Sequence, residues 1–164
     1  MTETDPQNLK VGFDNAIKLI IHEAQLIWTV FRSMIAVNTF ITAFNLAFLK
    51  LFDYKSFLIL LPSIFGMILC VLWLTITNRM YSYFEFWFAS AREFEKKMFS
   101  EDLQFLNMGV KYSGGNEVEI NGKSYMMSGL NRLIRNKHLL RFIILLIAII
   151  YLITLVYSIF LINQ

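Results

Sequence analysis

Three stretches of this chain are each long and apolar enough to cross a bilayer, and that feature decides most of what it can fold into. They are Ser33 to Phe52, Phe57 to Thr77 and Leu139 to Ile162. A hydrocarbon core needs about 20 mostly apolar residues per span. No water is available there to satisfy backbone N–H and C=O groups, so all three are expected to be helices. Arg32, Lys50 and Arg141 fall near the span ends, where long side chains reach the headgroups. Pro62 lies in the opening turns of the second span, where a helix tolerates proline best. Composition agrees: 57% of residues are hydrophobic and 16% charged, against roughly a quarter charged in a soluble domain.

Orientation follows from the basic residues. The connector Lys50–Lys55 (KLFDYK) carries 2 of the 15 lysines and arginines. The other 13 (15 − 2) precede the first span, separate the second from the third, or stand at the entry to the third. The positive-inside bias therefore places the N-terminus and the 78–138 region in the cytoplasm, with the 50–55 turn and the C-terminus outside. The opening MTETDPQNLK lacks the basic flank and apolar core of a secretory signal, so the first span is expected to be retained. The one cysteine, Cys70, is internal to a span.

Outside the spans the periodicity is also helical. Residues 9, 13, 16, 17, 20, 24 and 27 are apolar, which predicts a cytoplasmic or interfacial helix over 8–32. It is expected to join the first span directly or at a slight kink. Past Arg79 the second span keeps its hydrophobic face: Met80, Tyr83, Phe84, Trp87, Phe88, Ala91, Phe94 and Met98 recur in steps of three and four. With no Gly or Pro between Met67 and Asn107, one helix over 57–99 would run roughly 65 Å, about twice a bilayer core. Such a stripe needs a protein partner, and the 8–27 helix is the nearest one. Beyond Gly109 the pattern changes to Val118-Glu119-Ile120, Asn121-Gly122, Lys123-Ser124-Tyr125. An Asn-Gly pair between alternating residues predicts a two-stranded hairpin, because a type I′ turn needs positive φ at both central positions. A short helix over about 128–138 would lead into the third span. The expected fold is thus an all-α membrane protein in one domain, 1–164, with three transmembrane helices, a long second helix reaching into the cytoplasm and a small cytoplasmic β-hairpin.

Polar positions inside the spans are the candidate functional residues. Asn38, Thr42 and Asn45 share one narrow arc of the first span. Amides cannot face lipid unpaired, so the arc meets another helix or lines a pore. Ser63, Gly66, Cys70 and Thr77 on the second span, and Tyr151, Thr154 and Ser158 on the third, read as packing seams. Phe84, Trp87, Phe88 and Phe94 are the candidate cytoplasmic packing or oligomer stripe. Arg79 and Arg92, with Glu85, Glu93 and Glu95, form the densest polar group, read as a structural ion network. Tyr81, Tyr83 and Trp87 suit the headgroup boundary.

No catalytic set can be assembled. His22 and His138 each stand alone, and Ser113-Gly114-Gly115 lacks the strand, helix and lysine of a phosphate loop. The net charge of +3 is small and dispersed, giving no case for nucleic acid. The expectation is a non-enzyme without metal or cofactor.

The run Trp73-Leu-Thr-Ile-Thr-Asn-Arg79, followed by Tyr83-Phe-Glu-Phe-Trp87 and Ala91-Arg92-Glu-Phe-Glu95, resembles small bacterial inner-membrane proteins of the RipA type. Leu26-Ile27-Trp28 before the first span and Asn38 within it are similar too, so the resemblance covers roughly residues 20–100. It implies a cytoplasmic-membrane protein that assembles as a homo-oligomer, an octamer, and serves growth or survival under host or environmental stress. It carries over no catalytic residue. The function expected on all these grounds is a ring-like assembly with a cytoplasmic vestibule, acting as a channel or a scaffold. Its partners would be lipids, its own copies, and an unidentified membrane or cytoplasmic protein. The alternative is a membrane-perturbing effector of an anti-phage or stress system.

Overall fold

The computed structural model of the protein describes residues 6–51, 60–129 and 136–163. Helix α1 runs Pro6–Leu51 and helix α2 runs Leu60–Met98. A 3₁₀ turn at Glu101–Leu103 leads to helix α3, Phe105–Ser113; strands β1, Val118–Ile120, and β2, Lys123–Tyr125, follow, and helix α4 spans Asn136–Ile162. Helices α1, α2 and α4 are each long and apolar enough to cross a membrane. The outward turn expected at 50–55 lies outside the described residues except for Lys50 and Leu51, which belong to the end of α1. The second span's entry at 57–59 and residues 130–135 of the short helix expected over 128–138 also lie outside them.

The expected interfacial helix and the first span are one continuous 46-residue helix. Pro6 takes its first position, where a missing N–H costs nothing. Pro62 falls in the first turn of α2 for the same reason. Lys96 and Lys97 occupy the last turn of α2, where the helix dipole favours cations.

The described chain divides into two compact units, and α1 and α2 each contribute a segment to both. The first unit holds the start of α1, α2 from Met80 onward, α3 and the hairpin. The second holds Leu26–Arg79 and Lys137–Gln164, and thus the apolar parts of α1 and α2 together with α4.

In the second unit the inward positions recur with the 3-4 spacing of a coiled-coil seam. On α1 they are Phe31, Met34, Asn38, Ile41 and Asn45; on α2, Ser63, Gly66, Cys70, Trp73 and Thr77. On α4 they are Leu140, Ile144, Ile147, Tyr151, Thr154 and Ser158. Ile41, Cys70, Trp73, Ile144 and Tyr151 make the apolar core, with Phe31 and Met34 packed against it. The opposite faces present Phe40, Phe65, Val71, Phe142, Ile153 and Phe160 outward.

In the first unit, Ala16 of α1 and Met80, Ala91 and Glu95 of α2 are buried. Gly12 lets the two segments approach closely: a Cβ placed there would meet the Phe94 ring at 2.8 Å. The Phe13 and Phe99 rings meet edge to face at 6.0 Å. The start of α1 thus lies against the far end of the stripe, at Phe94. The hairpin pairs Val118 with Tyr125 and Ile120 with Lys123. Asn121 and Gly122 sit at φ 53° and 72°, both left-handed, as a type I′ turn demands.

Candidate functional site

The polar residues of the second unit meet one another. Asn45 is 2% exposed and donates through Nδ2 to Ser63 Oγ at 2.8 Å and to Thr154 Oγ1 at 3.4 Å. The Ser63 and Thr154 hydroxyls are 3.1 Å apart, so α1, α2 and α4 each place one side chain in a single layer. A second layer surrounds Asn38, also 2% exposed. The Tyr151 hydroxyl donates to Asn38 O at 3.1 Å or to its Oδ1 at 3.2 Å, and Cys70 Sγ approaches that Oδ1 at 3.8 Å. Thr42 Oγ1 bonds Asn38 O at 2.8 Å and lies 3.4 Å from Tyr151 Oη. Asn38 Nδ2 returns to Met34 O at 2.8 Å. All three members of the sequence-identified arc thus take part in hydrogen bonds inside one chain.

Gly66 makes the second layer possible. A Cβ there would stand 2.4 Å from the Tyr151 ring, so only glycine lets the phenol lie between Asn38 and α2. Farther along, Arg141 donates from Nε at 2.9 Å and from Nη2 at 2.7 Å to Asn78 Oδ1, joining α4 to α2. Two buried polar atoms have no hydrogen-bond partner within the described residues, Asn45 Oδ1 and Trp73 Nε1.

In the first unit the aromatic stripe is unevenly covered. Phe84, Trp87, Phe88 and Phe94 are partly buried, and Phe84 stacks on Phe88 at 6.0 Å. Tyr83, read as part of the stripe, is 45% exposed, and Phe86, one position off it, is 58% exposed. Of the polar group, Arg92 donates from Nε to Asn107 Oδ1 of α3 at 2.8 Å, while Arg79 and Glu85 lie at exposed positions. Glu93 pairs with Lys96 at 2.9 Å, and the hydrogen bond and charge of that lysine hold its carboxyl below the usual range.

Glu95 carries a role that its charge pattern does not disclose. It is 2% exposed and accepts the Leu106 N–H through Oε1 at 2.8 Å and the Asn107 N–H through Oε2 at 3.1 Å. The carboxylate thereby caps the start of α3, a helix that sequence reading does not anticipate. Between α3 and the hairpin lies an apolar cup of about 290 Å³, lined by Phe105, Met108, Tyr112, Val118, Ile120 and Tyr125 among others. Among the described residues no group of three His, Cys, Asp or Glu could hold a metal ion.

Three long apolar helices with hydrogen-bonded polar layers, and a helix–hairpin module, define a polytopic α-helical membrane protein. The chain matches the model of the octameric membrane protein family (8xMP) over residues 13–160 and belongs to that family. The match extends past the stretch that carries the RipA-type resemblance and takes in the hairpin and most of α4. No curated protein and no solved structure matches the chain.

Proposed function

We propose that the chain is a non-enzymatic subunit of a homo-octameric assembly in a bacterial inner membrane, of the RipA type. Its N-terminus and the 78–138 region lie in the cytoplasm and its C-terminus outside. Eight copies form a ring whose cytoplasmic parts enclose a vestibule, and the ring acts as a scaffold in stress adaptation. The family match over residues 13–160 carries this reading. The asymmetric distribution of basic residues supports the orientation. Large apolar side chains left open in the first unit, Phe86 at 58%, Phe105 at 62% and Met126 at 68%, support self-association.

The scaffold is preferred to a channel on one observation. Asn38, Thr42 and Asn45, the residues best suited to line a polar path, are bonded to Ser63, Tyr151 and Thr154 of their own chain. Mass photometry or light scattering in mild detergent and in lipid discs tests the assembly. Eight chains of 19.3 kDa give about 154 kDa of protein (8 × 19.3). A monodisperse monomer in both media overturns the proposal.

A further inference from the structure

The cup between α3 and the hairpin points to one occupant. It is lined almost wholly by carbon, with Ile120 at 39%, Tyr125 at 47% and Phe105 at 62% exposure, and Met126 at 68% next to it. Apolar side chains gathered at this density outside a span mark an interaction surface. A bilayer is a poor partner for it. Residues 101–125 carry Glu101, Asp102, Glu117 and Glu119 against Lys111 and Lys123, a net charge of −2 (2 − 4). An anionic leaflet repels such a segment, and the juxtamembrane elements that dock on lipid are basic.

A ring of more than two copies is held by heterologous contacts, in which one patch on each subunit fits a different patch on the next. Two patches among the described residues of the first unit suit such a contact. One is the cup. The other is the outward ridge of α2 around Tyr83, Phe86 and Ala89, all exposed. Phe86 stands nine residues past Thr77 (86 − 77), roughly 13 Å of helix rise, against roughly 5–8 Å for a headgroup layer. On that measure headgroups do not cover it, and Trp87, one residue farther on, lies beyond the headgroup boundary that its residue type suits. The Phe86 ring meets that of Trp87 edge to face at 4.9 Å and projects outward as a knob.

We infer that the Phe86 ridge of one copy inserts into the α3–hairpin cup of the next. This contact, repeated head to tail, closes the cytoplasmic side of the ring. The inference rests on the octameric reading above and adds to it the two surfaces that meet.

Disulfide trapping of the full-length protein in native membranes tests it, in a Cys70→Ser background. Phe86→Cys combined with Tyr125→Cys should give, on mild oxidation, a ladder extending beyond dimers toward eight copies. Mixed single variants should give dimers only, each containing one Phe86→Cys and one Tyr125→Cys chain. Dimers from Phe86→Cys alone overturn the inference, since they make the contact isologous. A nitroxide at Phe105→Cys that is relaxed by bilayer-dissolved oxygen and shielded from an aqueous nickel chelate overturns it by placing the cup on lipid. An eight-copy particle without trapping overturns the inference while the proposed function stands, whereas a monomer removes both.

Discussion

At the scale of single residues the design rests on close approach inside an apolar helix bundle. Gly66→Ala sets a methyl against the Tyr151 ring, where a Cβ would lie at 2.4 Å. The ring must move and abandon Asn38, at a cost of about 1–3 kcal/mol. Gly109→Ala is the control, because nothing lies within 4 Å of a Cβ there. The expected outcome is a lower melting temperature in detergent for the first variant and an unchanged or slightly higher one for the second. Tyr151→Phe keeps the ring and removes the hydroxyl that bonds Asn38. Interhelical hydrogen bonds in membranes are worth about 0.6–1.7 kcal/mol, and unfolding of Tyr151→Phe in mixed micelles should report a loss in that range. The sequence makes the polar arc of Asn38, Thr42 and Asn45 visible, because spacing along one helix fixes which side chains share a face. It does not disclose that Asn45 meets Ser63 and Thr154. The relative depth and rotation of separate helices are set by packing across the bundle, which no one-dimensional pattern encodes.

At the scale of elements, the three apolar helices and the hairpin are legible because each has a local cause. Length and hydropathy determine the helices, and the Asn121-Gly122 pair determines the turn. Helix α3 is not legible. Gln104 precedes it and makes no side-chain cap bond. The group that satisfies its first amides is Glu95, 11 and 12 residues away along the chain. A cap supplied from another helix leaves no local signature. Glu95→Ala should expose the Leu106 and Asn107 amides to exchange and weaken the module by about 0.5–2 kcal/mol. Hydrogen exchange read by mass spectrometry should show faster uptake over 105–113, with the 136–162 segment unaffected. In the hairpin, Gly122 sits at φ 72°. Gly122→Ala should cost about 1 kcal/mol or more there, seen as faster exchange across 118–125.

At the scale of the whole molecule, the proposed topology and the proposed scaffold each have a direct readout. A reporter fused at the N-terminus or inserted at Gly115 should be inaccessible to a membrane-impermeant label in intact cells, and one at the C-terminus should be accessible. Asn38→Leu and Asn45→Leu should lower thermal stability by removing the Asn38 Oδ1 acceptor of Tyr151 and the Asn45 amide donor to Ser63 and Thr154. Ion flux through reconstituted liposomes should match that of the parent protein. A flux that changes with either substitution would restore the channel reading.

The Glu95 cap also imposes a timetable on biosynthesis. Helix α3 has nine residues, fewer than the roughly 12–15 that an isolated helix needs to persist in water, and β1 packs against it. As the chain leaves the ribosome, α3 cannot hold its shape until the final turns of α2 have formed. The nascent module thus waits on the helix made just before it, not on the last span still to be translated.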